Sequence, residues 1–381
     1  MSRPLRLLIV LAVGAGLVAV AVARFGSDTR PSTQAAAAAP QEPGPAFVGL
    51  AAPELIALPG PELERTLDEQ LRLGIGLVRQ TFDWTQIEPA LGRYEFGSYD
   101  TLMAALAERG LEMLPVLFNP PPFRSSRPTR GAREGTYPPR RYADMGTFAA
   151  ALVRRYGPDG SFWCERPDLR KTPIRSWQVW NEPNLPAYWP DGPDPAAYGR
   201  LLGATARAIR RADPQANVVG AGIPQSRIGV PFDRYVDDLY RASGRPAFDV
   251  FAVHAYAGDT AGMIAAVTRA RTLMDRQGDH RPIWVTEIGW ASGGPPSSFT
   301  VGPRGQARRV FAAITELAER ARELRLRGFV YATWRDGGVY EGGADFWGLH
   351  TGLLSIAGAP KPAYYAFEQA ARRVPRLMAG R

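Results

Sequence analysis

The chain has 381 residues, 45% of them hydrophobic and 22% charged, a composition that suits a folded chain with a substantial core. Its formal charge of +9 comes almost wholly from arginine, Lys171 and Lys361 being the only lysines, and no basic motif or stacking module accompanies it, so no nucleic-acid partner is expected. A single cysteine, Cys164, excludes an intrachain disulfide.

In chain order, the first feature is an apolar run, Leu7 to Ala23, that follows Arg3 and Arg6 and is closed by Arg24. It is longer than most signal-peptide cores and short for a spanning helix, while Ala21-Val22-Ala23 offers a small-x-small cleavage site. Residues 1–24 are therefore expected to be a signal peptide or a membrane anchor. Either way the two arginines stay inside, and the rest of the chain is expected to be exported, secreted or held on the extracytoplasmic face of the membrane. Residues 25–45 are rich in Ala, Pro, Ser and Gly, with little to bury, and read as a flexible linker.

From Ala46 onward, short apolar runs alternate with longer amphipathic ones. The strand candidates are AFVGL from Ala46, IGLVRQ from Ile75, LEMLPVL from Leu111, IRSWQVW from Ile174, NVVGAG from Asn217, FDVFAVHAY from Phe248, PIWVTEIGW from Pro282 and GFVYATW from Gly328. Each is followed by a helical pattern, the weakest being the fifth, near FDRYVDDLYRAS. Eight such pairs predict an α/β fold, a single (β/α)₈ TIM barrel over residues 46–375. A doubly wound open sheet is the alternative, but no glycine fingerprint for a dinucleotide follows the first strand.

In a barrel, chemistry sits at the C-terminal ends of the strands. The fourth strand ends on Asn181, Glu182 and Pro183, and proline cannot extend a ladder. The seventh ends on Glu287, so two carboxylates are expected on one face. Paired carboxylates across a cavity are the equipment for glycoside hydrolysis, one protonating the leaving oxygen while the other attacks or activates water. No HExxH, P-loop, nucleophile elbow or Cys/His cluster competes, and no metal or cofactor is expected.

The VWNEPN motif, with TEIGW following so that 105 residues separate the two glutamates, resembles the clan A glycoside hydrolases, retaining β-glycosidases built on (β/α)₈ barrels. The likeness is greatest to family 39 and its bacterial exopolysaccharide-cleaving relatives, with family 5 close behind. That resemblance implies Glu182 as acid/base, Glu287 as nucleophile and Asn181 as the residue bonding the 2-hydroxyl of the cleaved sugar. It also implies substrate-site roles for Arg79 at the end of the second strand, His254 and Tyr256 after the sixth, and Trp334 ending the eighth. At the third strand many relatives carry His, where this chain has Phe118-Asn119-Pro120-Pro121.

Physical chemistry adds expectations of its own. Glu287 needs a cation and donors to stay ionised, which Arg79 and Tyr256 supply. Glu182 needs a raised pKa to hold its proton. Trp334 is expected as a flat floor for the sugar, with Trp84, Trp189, Trp290 and Trp347 extending the stacking. Each has a rival reading: turn chemistry for Asn-Glu-Pro-Asn, a structural ion pair for Glu287 and Arg79, and core packing for His254 and the tryptophans. Glu88-Pro89 is read as loop structure. An oligo- or polysaccharide is the expected partner of a monomer, with a membrane contact through the N-terminal segment if it is uncleaved. A carbohydrate-binding pseudoenzyme and a transglycosidase using the same residues stand as alternatives.

Overall fold

The computed structural model describes residues 46–340 and 343–379; the expected leader and linker at 1–45 lie outside them. Nine strands are present among the described residues: β1 (Val48–Ala51), β2 (Leu77–Asp83), β3 (Glu112–Phe118), β4 (Ser176–Val179), β5 (Asn217–Val219), β6 (Ile223–Pro224), β7 (Phe251–His254), β8 (Ile283–Ile288) and β9 (Leu326–Ala332). All neighbouring pairs are parallel, in the order β5-β4-β3-β2-β1-β9-β8-β7-β6.

The two ends of that order, β5 and β6, are consecutive pieces of one run of chain, broken at Gly220-Ala221-Gly222. A parallel bridge from Val219 to Val250 and a hydrogen bond from Gly220 N to Val250 O (3.0 Å) join β5 to the chain entering β7. The sheet therefore curls round into an α/β barrel, with β5 and β6 sharing one stave. A helix follows each stave: 60–72, 97–109, 142–156, 195–212, 232–243, 260–276, 302–319 and 362–371. The weakly signalled fifth helix is real; its buried stripe is Phe232, Tyr235, Val236, Leu239 and Tyr240, at helical spacing. Among the described residues no helix is long and apolar enough to cross a membrane.

Local chemistry sets the helix ends. Asp194 accepts from Ala197 N (2.9 Å) ahead of Pro195, and Asp259 accepts from Gly262 N (2.8 Å), two side-chain caps on otherwise orphaned donors. Parallel strands are buried on both faces, and two apolar clusters result. One lies between strands and helices; the other fills the barrel floor with Ala46, Ala51, Leu77, Leu114, Val219, Val250, Ala252, Trp284, Val330 and Ala332. Trp284 fits there because its neighbours are small: a Cβ on Gly328 would lie 3.2 Å from its Nε1 and 2.8 Å from Phe47 O. An apolar interior of this kind leaves polar chemistry to the C-terminal ends of the strands.

Candidate active site

At the end of β4 the backbone leaves the sheet through two left-handed residues, Trp180 (φ 74°) and Glu182 (φ 42°), with Asn181 between them. For residues with a Cβ such conformations cost about 1–3 kcal/mol each, and they persist only where the surroundings impose them. Here Trp180 N donates to Leu117 O (3.1 Å), Glu182 N to Gly222 O (3.1 Å), and Trp180 Nε1 to Tyr188 O (3.1 Å). The turn swings Glu182 over the barrel axis, 2% exposed.

Glu287 arrives by a different device. Thr286 is bonded inside the barrel to Gln178 (3.3 Å), so strict alternation along β8 would turn Glu287 outward, toward the helices. The register of β8 shifts against both neighbours at this point, between Val285 and Ile288 on the β9 side and opposite Val253–His254 on the β7 side. Such an irregularity re-aims a side chain. Glu287 consequently faces inward beside Thr286.

The two carboxylates meet around three other groups. Arg79 Nη1 donates to Glu287 Oε1 (2.6 Å) and the Tyr256 hydroxyl to Glu287 Oε2 (2.8 Å). His254 Nδ1 lies 2.7 Å from Glu182 Oε1 and 3.5 Å from Glu287 Oε2. Arg79 also donates through Nη2 to Asn181 Oδ1 (3.1 Å) and through Nε to Gln178 Oε1 (2.8 Å). Arg79, Asn181, Glu182, His254, Tyr256 and Glu287 thus form one bonded constellation at the mouth of the barrel.

Its electrostatics are unequal. Burial pushes the Glu182 carboxyl up, the negative charge of Glu287 adds to this, and the His254 hydrogen bond opposes it without cancelling it. Burial also acts on Glu287, but the charge of His254 when protonated, the Arg79 guanidinium and the Tyr256 hydrogen bond together hold its carboxyl below the ordinary range. Tyr256 is raised by burial and by the charge of Glu287, then of Glu182, and remains a donor.

The tryptophans sit differently from expectation. Trp334 is fully buried, its ring 6.1 Å from that of Tyr364 on the helix at 362–371, and it presents no face to a sugar in this structure. Trp290 is likewise enclosed, its Nε1 donating to Ala257 O (2.7 Å). Trp84 stacks on Phe148 at 4.8 Å in the helix layer, and Trp189 packs on Trp180 at 5.8 Å. Trp347 lies beside the Glu287 partner Tyr256, its ring centroid 5.2 Å from that of the phenol. In place of the third-strand histidine, Asn119 (φ 60°) donates to both oxygens of Asp83 (3.0 Å each).

Several residues of the site escaped the sequence reading. Gln178 and Thr286 lie beneath the carboxylates, and the buried Tyr188 is close enough to have its phenol raised by burial and by the charges of Glu182 and Glu287. Gly222 is needed because a Cβ there would fall 1.9 Å from His254 Nε2. Gln178 did carry a signal, as a polar residue inside an apolar strand four positions before Glu182.

Ligand atoms of Glu182, His254 and Glu287 all lie within 4.8 Å of one another, a spacing open to a metal ion. The donor set fits a proton-transfer site better: both Glu287 oxygens are already engaged, one by a guanidinium that would repel a cation.

Residues 162–320, which include both glutamates, match the glycosyl hydrolase catalytic core family. The chain is 27% identical over 303 residues to a β-xylosidase of Caldicellulosiruptor saccharolyticus, an alignment that takes in 72% of this chain and 56% of that protein. It thus spans little more than half the length of this relative. Among solved structures, a family 39 glycoside hydrolase from Bacteroides cellulosilyticus shares the fold at TM-score 0.63 and 20% identity, over 86% of this chain and 63% of that one. An exo-β-1,4-mannosidase from an Opitutaceae bacterium does so at TM-score 0.61 and 19% identity, over 87% and 60%.

Proposed function

We propose that this chain, whose residues 162–320 match the glycosyl hydrolase catalytic core family, is a clan A glycoside hydrolase that cleaves β-glycosidic bonds with retention, by double displacement on a (β/α)₈ barrel. The observation that carries the reading is the opposed tuning of two carboxyls whose oxygens approach within 4.8 Å. Retaining enzymes hold their carboxyl groups about 5–5.5 Å apart, too close for a water between sugar and base, whereas inverting ones need about 6.5–9.5 Å.

Glu287, kept ionised by Arg79 and Tyr256, attacks the anomeric carbon while Glu182 gives its proton to the leaving oxygen. Once the glycosyl-enzyme forms, Glu287 is an ester and its charge is gone. The repulsion that helps keep Glu182 protonated then disappears, its carboxyl becomes a base, and it activates the water that releases the sugar. In this reading Asn181, whose Oδ1 accepts from Arg79, bonds the substrate's 2-hydroxyl.

The substrate is read as a β-linked oligo- or polysaccharide of the cell envelope or exterior. The exported setting rests on the apolar run at 7–23, and protease added to intact cells should reach the enzyme or the medium should contain it; a protected cytoplasmic protein would end that part of the reading. The reaction itself is tested with a panel of aryl β-xylosides, β-mannosides and β-glucosides and proton NMR of the first-formed product. Retained configuration is expected. Initial inversion would overturn double displacement, and a full absence of turnover would favour a binding protein.

A further inference from the structure

Gln178 is fully buried on β4, between apolar Trp177 and Val179, with its amide inside the barrel. A buried amide has to satisfy both ends, and this one does so across three other staves. Its Oε1 accepts from Arg79 Nε on β2 (2.8 Å), while its Nε2 donates to Gly220 O in the β5–β6 break (3.1 Å) and to Thr286 Oγ1 on β8 (3.3 Å). A guanidinium is a rigid plane, so fixing the direction of Nε also fixes where Nη1 and Nη2 point. With Nε on Gln178, Nη1 meets Glu287 at 2.6 Å and Nη2 meets Asn181 at 3.1 Å.

We propose that Gln178 is a positioning residue for the nucleophile: it aims the Arg79 fork so that one guanidinium serves the attacking carboxylate and the residue placed to bond the sugar. The proposal rests on the reading of Glu287 as nucleophile. It makes the polar layer beneath the carboxylates part of the reaction, where otherwise it would only brace the barrel. The groups facing Glu287 are Arg79 from β2, Glu182 from the end of β4, Tyr188 in the loop beyond it, His254 from β7 and Tyr256 just after that strand; of these, Arg79 is the one whose guanidinium bonds Gln178.

The test follows the Glu287 carboxyl by carbon-13 NMR in protein labelled at glutamate side chains, the resonance being assigned by its loss in Glu287→Gln. In Gln178→Met the carboxyl is expected to titrate at higher pH than in the parent, because the released guanidinium stabilises its charge less. Turnover of an aryl β-glycoside should fall about 10- to 100-fold in kcat with KM little changed, a misalignment-sized loss. The loss should be about tenfold greater on the acidic side of the profile than at neutral pH.

In an Arg79→Lys background, where there is no Nε to orient, Gln178→Met should add nothing to either readout. An unmoved Glu287 titration in folded Gln178→Met, or losses that simply add in the double variant, would overturn the proposal and leave Gln178 a brace. Should Gln178→Met not fold, Gln178→Asn, one methylene too short to reach Arg79 Nε, carries the same expectations. A parent that cleaves no glycoside would sink the catalytic reading, while the carboxyl titration would still decide whether Gln178 governs Arg79.

Discussion

Among the described residues, two buried glutamates are each followed by proline, Glu88-Pro89 in the loop after β2 and Glu182-Pro183 after β4, at 0% and 2% exposure. Glu88 accepts from Trp84 Nε1 (2.5 Å), Gly92 N (2.8 Å) and Arg124 through Nη2 (2.7 Å) and Nε (3.4 Å). Glu182, by contrast, has one side-chain partner among the described residues at hydrogen-bond distance, the imidazole of His254. Similar burial therefore produces opposite chemistry. A carboxylate given four donors anchors the loop after β3 through Arg124, whereas one given a single neutralisable donor is left free to hold and release a proton.

The largest expected effect falls on neither of these but on their ionised counterpart at the site. Glu287→Gln should lower turnover by about 10⁴-fold or more for every substrate, because no glycosyl-enzyme can form. Glu182→Ala should cost about 10²- to 10⁴-fold for sugars with poor leaving groups. With an activated phenol as leaving group its first step should survive, so that a burst appears and azide rescues turnover. The variant should also lose the alkaline limb of the pH profile, which the raised Glu182 carboxyl sets, and keep the acid limb set by Glu287. Identical behaviour of the two variants with an activated substrate would reverse or dissolve the roles.

Much of this was legible from residue order. A strand that ends on Glu and then Pro announces both its termination and its polar tip, and the alternation of apolar runs with amphipathic ones placed all eight staves and their helices. Arg79, Asn181, His254 and Tyr256 were expected near the glutamates; Arg79 and Tyr256 bond Glu287, His254 meets Glu182, and Asn181 joins them through Arg79. The illegible part lies where local rules give way to tertiary ones. Period-two alternation from Trp284 would send Glu287 outward, and only the register shift against β7 and β9 corrects it. NVVGAG read as one strand, yet Gly220-Ala221-Gly222 interrupts it to make room for an imidazole that arrives from β7. The full burial of Trp334, with its ring 6.1 Å from that of Tyr364 some thirty positions later, is a tertiary contact that residue order does not announce.

That interruption offers a finer way to perturb Glu182 without touching it. A methyl on Gly222 would lie 1.9 Å from His254 Nε2, so in Gly222→Ala the imidazole must tilt, and its 2.7 Å contact with Glu182 must lengthen. Loss of one aligned partner should reduce kcat by about 10- to 100-fold, less than removing the carboxyl itself. The alkaline limb should move to higher pH, since the hydrogen bond that opposes the rise in the Glu182 pKa is weakened. An unmoved limb in a folded Gly222→Ala protein would mean that His254 does not tune the acid.

The smallest effect on chemistry, and the largest on stability, is expected at Glu88. Glu88→Ala leaves the Trp84 indole N–H unpaired and Arg124 with only the more distant Asp144 (3.4 Å), so urea unfolding should show a loss of about 3–5 kcal/mol, while kcat of the folded fraction stays close to the parent value. Glu182→Gln should do the converse. Its folded-state pKa is raised, so the stability tied to its proton is present below the ordinary carboxylate pKa and is lost as pH rises through the raised value. A glutamine cannot ionise, and the variant should gain on the parent as pH climbs through that window, with the difference vanishing in acid. Glu287 has the opposite linkage: its contribution is present above the ordinary carboxylate pKa and fades as pH falls through the lowered one. Unfolding curves for the parent, Glu88→Ala and Glu182→Gln at several pH values would separate the cases. If Glu182→Gln proved as destabilising as Glu88→Ala, then donor number would not be what distinguishes an anchoring carboxylate from a reactive one.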